Sequence, residues 1–265
     1  MHLATALELA AHRYPEVDAI ITRSARLSYA RWNERVNAVA WSLLEAGLKP
    51  GDSMAIAAAN GEAAATTFFA LHKIGAVAVF LNCRWKKQQL LQAMEEAAVK
   101  AVLYDREAKE EILGALQLYP EQIFQVDADR AQKAVEGIPV YSFAQLAARQ
   151  AGKTPPLPRD DRKTATVLFT SGTTGRARGV CRSGRSDYYA AMALIVEHRW
   201  QRFERNLAVM PLYHTMGLHA LISMVLLNGT SLLLPRLDAE ECLDYIHRGQ
   251  VSSLYLVPTA YHKLV

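Results

Sequence analysis

Between residues 28 and 47 the positions Tyr29, Trp32, Val36, Val39, Ala40, Leu43 and Leu44 recur at spacings of three and four, which predicts a helix with one buried face. Gly47 ends that pattern, and Lys49-Pro50-Gly51-Asp52 reads as a turn. The period then changes. A continuous apolar run at 54–59 predicts a short buried strand, and helical spacing returns over 62–74 up to Gly75. The alternation continues with strands at 76–81, 101–104 and 122–126 and helices at 86–97 and 106–116. Strands alternating with helices of this length predict an α/β fold class with a mainly parallel, helix-covered sheet.

Residues 151–163 hold Gly152, Pro155, Pro156, Pro158 and a cluster of charges with no apolar periodicity, so a linker is expected there. It divides a first α/β subdomain at 1–150 from a second at 164–265. In the second, strands are expected at 164–170, 178–182, 207–210, 231–234 and 253–256, and helices at 186–200, 217–227 and 239–248. Pro258 suits the first turn of a further helix, with Tyr261, Leu264 and Val265 on one face. An α/β unit that stops on Leu-Val just after a buried strand is expected to be incomplete at its carboxyl end. The resulting sheet edge would be covered by a second copy in a homodimer or by a missing carboxyl-terminal partner.

Composition narrows the class. With 51% hydrophobic residues the chain is globular rather than disordered. Its longest strongly apolar stretch, 220–227, falls far short of the roughly 20 residues that cross a bilayer. The amino terminus has no basic region, and Glu8 interrupts what would be the apolar core of a signal peptide. Cys83, Cys181 and Cys242 form no C-x-x-C pair, which argues against a disulfide framework or zinc cluster and fits a reducing cytoplasm. The net charge is +4, and Arg176, Arg178, Arg182 and Arg185 lie within ten residues that contain no Asp or Glu. The excess positive charge is therefore local, whereas a nucleic-acid binder spreads it over a face.

That local charge follows Thr170-Ser171-Gly172-Thr173-Thr174-Gly175, six consecutive small residues. Hydroxyls and unobstructed N–H groups can wrap phosphate oxygens, and glycines allow the turns that aim successive amides inward. The plain alternative is a surface hairpin connection, in which Gly, Ser and Thr are common. The arginines favour the phosphate reading. The Walker pattern is absent, and the flanking segments read as two strands rather than a strand and a helix.

Thr-Ser-Gly-Thr-Thr-Gly-x-x-[basic]-Gly-Val, here 170–180, resembles the phosphate-binding signature of the adenylate-forming superfamily, which includes acyl-CoA synthetases, luciferases and peptide-synthetase adenylation domains. Four further stretches resemble family motifs in the correct order. They are Leu27-Ser-Tyr-Ala-Arg-Trp with 43–52, the run 70–84, Pro211-Leu-Tyr-His-Thr-Met-Gly-Leu218, and Leu256-Val-Pro-Thr259. Together they span essentially the whole chain and favour an acyl-CoA ligase over an adenylation domain.

The resemblance implies the fold of the amino-terminal domain of acyl-CoA synthetases and an acid–thiol ligase reaction. A small carboxylic acid is activated by ATP to an acyl-adenylate and then transferred to coenzyme A, with magnesium held mainly through the phosphates. Thr170 to Gly175 would hold the β- and γ-phosphates, with Arg178 as the basic residue at the loop's end. The family's usual Pro-Lys is replaced by Ala177-Arg178; Arg178 keeps the charge and can fork two hydrogen bonds. His214 falls where the resemblance puts an imidazole beside the acyl carboxylate and the adenylate, as a hydrogen-bond donor rather than a base.

Taken without the motif, His214 reads as a hydrogen-bonded turn residue. His219 reads as a packing residue on an apolar helix, Met216 to Leu218 as core or acyl-pocket wall, and Cys181 as a buried strand thiol. Arg84, Lys86 and Lys87 read as a solvated helix start. The family's later motifs for adenine, ribose and the adenylation lysine are absent, so little or no ligase activity is expected of these 265 residues alone. A split ligase needing a partner, or a non-catalytic nucleotide- or acyl-binding domain, stands as the alternative.

Overall fold

The computed structural model describes residues 1–119, 124–129, 137–149, 153–156, 160–170 and 177–264. In chain order the described elements begin with α1 (Leu3–Arg13), β1 (Asp18–Ile21), β2 (Arg26–Ser28), α2 (Tyr29–Glu45), β3 (Ser53–Ala57), α3 (Glu62–Ile74) and β4 (Val77–Phe80). They continue with α4 (Lys87–Glu96), β5 (Val99–Tyr104), α5 (Lys109–Leu116), β6 (Phe124–Asp127), β7 (Val140–Ser142) and α6 (Phe143–Ala147). The last third holds β8 (Thr164–Thr170), β9 (Arg178–Ser183), α7 (Gly184–His198), β10 (Arg205–Ala208), α8 (Thr215–Leu227), β11 (Thr230–Leu233), α9 (Ala239–His247), β12 (Ser253–Leu254) and α10 (Pro258–Tyr261). Among the described residues no helix is long and apolar enough to cross a membrane.

Two sheets form. One has seven strands in the order β7-β6-β5-β3-β4-β8-β9, the other five in the order β12-β10-β11-β1-β2. Pairing is parallel throughout except for β1 with β2 and β8 with β9, each at a sheet edge. The expected α/β class with mainly parallel sheets is what the chain adopts.

Local causes are visible in the helices. Ser28 caps α2 by accepting the Arg31 amide, and the α2 stripe that includes Tyr29, Trp32, Val36 and Leu43 is buried. Glycine at position 75 takes the left-handed conformation, with φ of 69°, that closes α3. From Ala64 to Ile74, α3 is buried on every face. It packs against α1, α2, β3 and β4. The Trp32 indole donates to the Thr66 hydroxyl at 3.0 Å.

The division at 151–163 is corrected by the topology. β8 and β9 follow that segment yet join the sheet of β3 to β7, while β1 and β2 precede it and join the sheet of β10 to β12. Each sheet therefore draws on both ends of the sequence. The Tyr29 hydroxyl adds a further tie, donating to Met224 O at 2.9 Å and Gly229 O at 2.7 Å. Nor does the described part of 151–163 hang free. The Trp41 indole donates to Lys153 O at 2.8 Å, Thr154 bonds Lys73, and the Arg185 amide donates to Asp161 O at 2.8 Å. Proline-rich, charged composition marks irregular backbone, and irregular backbone here is packed against the body.

The sequence pattern gives no expectation for α1, β1, β2, β7 or α6. α1 starts on an unusual cap, His2, whose ring nitrogen accepts the Ala4 amide at 3.3 Å. β2 and β7 have three residues each, too short for a period to register.

Candidate functional site

Two of the residues singled out from sequence, Thr170 and His214, line one cavity. A cavity of about 300 Å³ lies at the carboxyl ends of β4 and β8, lined by Phe80, Asn82, Trp85, Leu168, Phe169 and Thr170 from the seven-stranded sheet side. Tyr213, His214 and Thr215, from the turn between β10 and α8, close its other side. The carboxyl ends of parallel strands are the usual ligand position in such sheets, because helix starts and loop amides converge there.

Thr170 ends β8, is exposed, and pairs with Arg178, the first residue of β9. Ser171, Gly172, Thr173, Thr174 and Gly175, expected to bind phosphate, lie outside the described residues, as does Arg176. The two flanking segments, expected to be strands, are β8 and β9, and they pair antiparallel. Phe169 meets Trp85 edge to face, with ring centroids 5.8 Å apart, and the pair forms an apolar wall of the cavity.

Electrostatically the loop is less uniform than its sequence. Arg178 is exposed and has no acidic partner among the described residues. Glu96, however, reaches over from α4 to accept the Gly179 amide at 2.9 Å. Arg182 pairs with the fully buried Asp187. Acidic side chains distant from the ten-residue window in sequence, or just past its end, thus neutralise part of the arginine cluster. Cys181, expected buried, is exposed, because β9 is an edge strand with β8 on one side only. Cys83 is buried behind Tyr213, and burial pushes its thiol up to about 12. It is a protonated packing group, not a nucleophile.

His214 occupies the cap position of α8 in extended conformation. Its amide donates to Pro211 O and its carbonyl accepts from Leu218, both at 3.0 Å, while its ring rests on Tyr213 at 4.7 Å between centroids. Partial burial lowers its pKa from the ordinary 6.5, so the imidazole is neutral at pH 7 and can donate one hydrogen bond into the cavity. This is the chemistry that a hydrogen-bond donor to an oxyanion requires.

His219 is more than a packing residue. Its Nε2 lies 3.2 Å from Asp187 Oδ1 and 3.2 Å from the Arg182 guanidinium. Burial alone would raise the Asp187 carboxyl. Hydrogen bonds from His219 and Arg182, with the nearby guanidinium charge, outweigh it and hold the group below its ordinary range. Asp187 therefore joins β9, which follows the loop, to α8, which carries His214. Nothing in the local pattern of 186–200 marks Asp187 as a partner for Arg182 and His219.

Sequence reasoning also passed over Asn60, which stands between β3 and α3. It is 6% exposed. Its amide donates to Ala208 O at 3.1 Å and Met210 O at 2.9 Å, and its carbonyl oxygen accepts from Leu212 at 2.9 Å. The one available signal was an Asn-Gly pair directly after a buried apolar run.

Residues 7–265 match the AMP-binding enzyme family. A 2-succinylbenzoate–CoA ligase of Bacillus cereus (strain Q1) is 28% identical over 238 residues, covering 89% of this chain and 43% of that protein. The chain thus spans less than half the length of the curated relatives it matches. Among solved structures, the inhibitor-bound N-terminal domain of FACL13 from Mycobacterium tuberculosis superposes with a TM-score of 0.88 at 23% identity, over 99% of this chain and 64% of that one. The o-succinylbenzoate coenzyme A synthetase of Bacillus subtilis, in complex with ATP and magnesium ion, superposes with a TM-score of 0.81 at 22% identity, over 98% of this chain and 65% of that one. Such likenesses establish the shared fold.

Proposed function

The chain belongs to the AMP-binding enzyme family, and from that premise we propose that it forms the phosphate- and acyl-facing part of an ATP-dependent acid–thiol ligase. The observation that carries this reading is one cavity lined both by Thr170, at the end of β8, and by His214, at the cap of α8. In the reaction a carboxylate oxygen bonds to the α-phosphorus of ATP as the bond to the bridging oxygen of the pyrophosphate breaks. The coenzyme A thiol then gives up its proton to water as its sulfur bonds to the acyl carbon, and AMP leaves with the electron pair of the acyl–oxygen bond. Charge develops on phosphate and carboxyl oxygens in both halves, so oriented donors and cations do most of the catalytic work.

Each residue has a part in that scheme. Thr170, with the Ser171 to Gly175 amides and hydroxyls, holds the terminal phosphates. Arg178 screens the departing pyrophosphate with a guanidinium in place of the family's usual lysine. Neutral His214 donates to a carboxyl or adenylate oxygen and moves no proton. A magnesium ion would arrive on, and be held mainly by, the phosphates. The geometry leaves the carboxylic acid open to both aliphatic and aromatic classes.

Titration calorimetry with magnesium–ATP tests this reading. The parent chain is expected to bind. Arg178→Ala is expected to weaken binding by about 10-fold or more, the loss of one charge-assisted contact. His214→Ala is expected to leave ATP binding within about twofold of the parent and to weaken a non-hydrolysable acyl-adenylate analogue. ATP–pyrophosphate exchange over a panel of carboxylates is expected only when further polypeptide supplies the adenine and ribose contacts. Absence of ATP binding in the parent, or full affinity in Arg178→Ala, would overturn the assignment and favour a non-catalytic domain.

A further inference from the structure

Three hydrogen bonds of one buried side chain cross the junction between the sheets. Asn60 belongs to the turn that leaves β3 of the seven-stranded sheet. Its three partners, Ala208 O, Met210 O and the Leu212 amide, lie at the end of β10 of the five-stranded sheet and in the segment after it. Two residues beyond Leu212 comes His214. An asparagine side chain alone among small residues offers two donors and an acceptor in one plane, and all three are used here.

The same segment is also confined by α8. Gly217, in its first turn, lies so close that a Cβ there would sit 2.3 Å from both Met210 O and Pro211 O. The backbone at 210–212 thus meets both the Asn60 amide and the bare glycine. Among the described residues His214 itself has only backbone bonds and a ring contact with Tyr213 to orient it.

We infer that Asn60 is a positioning residue: with Gly217 it clamps 208–212, and so sets where His214 stands across the cavity from Thr170. The role in catalysis rests on the reading of the preceding subsection; the clamp itself can be tested without it. Leu212 carries no side-chain chemistry, so its amide bond to Asn60 serves position alone. The 150-residue separation between Asn60 and Met210 means that this one contact registers two sheets against each other.

The test is NMR of the histidine-labelled chain. In the parent, His214 titrates below the ordinary 6.5, and the Leu212 amide exchanges more slowly than that of Tyr213. In Asn60→Ala the His214 midpoint is expected to move up toward 6.5 as the ring becomes more solvated, with Leu212 exchange faster by about 10-fold or more. Asn60→Asp keeps the acceptor for Leu212 but presents oxygen to both carbonyls. It is expected to shift His214 while Leu212 stays partly protected. Gly217→Ala, which presses on Met210 O, shared with Asn60, and on Pro211 O, is expected to move the His214 titration as well.

The control is Asn206→Ala, which removes a buried β10 asparagine bonded to Ser253 rather than to the clamp. It is expected to lower stability and leave His214 where it was. An unchanged His214 titration in Asn60→Ala, or an equal shift in Asn206→Ala, would overturn the inference. So would a Leu212 amide in the parent that exchanges as fast as Tyr213, a measurement that holds even if no Asn60 variant folds. Binding of the acyl-adenylate analogue separates the two proposals. Its loss in Asn60→Ala with ATP binding retained supports both, whereas a shifted His214 in a chain whose parent binds neither ligand supports the clamp and refutes the ligase reading.

Discussion

Acidification from pH 7 to pH 4 is expected to cost the fold about 3 kcal/mol through His72 alone. His72 sits on α3, is 1% exposed, and neither ring nitrogen has a hydrogen-bond partner among the described residues. It packs edge-on against Phe68 at 4.6 Å and His2 at 5.8 Å between centroids. Burial lowers its pKa from 6.5 to about 3, aided by the neighbouring His2 and opposed by Asp187. The sign follows directly. Between pH 6.5 and 3 the unfolded chain carries a proton on this residue that the folded chain refuses, so unfolding gains at about 1.4 kcal/mol per pH unit.

Urea denaturation at a series of pH values checks this. In His72→Leu the decline between pH 6.5 and 4 should be shallower than in the parent by the amount His72 contributes. Replacing an imidazole with no hydrogen-bond partner by an apolar group costs little in itself. Equal slopes in parent and variant would refute the assignment. Asp187 acts in a separate window, because its lowered pKa contributes stability above the ordinary 3.8 that is lost only as the pH falls below it.

Lys73→Met is expected to destabilise the fold by about 3 to 5 kcal/mol, the range for breaking a buried charge cluster on one side. The Lys73 ammonium is fully buried. It donates to Asn33 Oδ1 and Asn37 Oδ1, each at 2.6 Å, and to Thr154 at 3.2 Å, and lies 3.3 Å from the Glu8 carboxylate. Thr154 in turn donates to Glu8 at 2.6 Å. Helices α1, α2 and α3 and the segment after 152 converge on this one nitrogen. Methionine matches the stem in length but leaves a carboxylate and two amide oxygens facing a thioether. Chemical denaturation of the variant provides the measurement. Lys86→Met, which removes an exposed ion pair with Glu111, should be indistinguishable from the parent; a Lys73 effect as small would show that the cluster is idle.

The two lysines illustrate what a sequence can disclose. Lys86 was legible as a solvated helix start because its neighbours Arg84 and Lys87 share its exposure. Lys73 lies in the same kind of local text, at the end of an apolar helix, and nothing adjacent marks it as buried. Its partners lie 36 to 81 residues away. The same contrast separates His214 from His219. The Pro211-Leu-Tyr-His order singles out the first, which stands in the turn before α8, whereas the second reads as packing because its partner Asp187 lies 32 residues back. Cys181 was misjudged for a related reason. Apolar period predicts that a segment is a strand but not whether it stands at the centre or the edge of its sheet.

Residue order alone sets the helix and strand succession from α2 to β6 and from β8 onward, the hydroxyl-rich run that follows β8, and the histidine at the head of α8. These follow from propensity, period and residue order, which act over a few residues. Only the tertiary structure decided that β1 pairs with β11, that β8 returns to β4 in the other sheet, and that Asn60, Asp187 and Lys73 tie distant segments together. Strand pairing is made by backbone groups that every residue carries, and an apolar face attracts any other apolar face. Local chemistry can therefore create the pieces and their faces, while the choice among partners belongs to the packing of the whole chain.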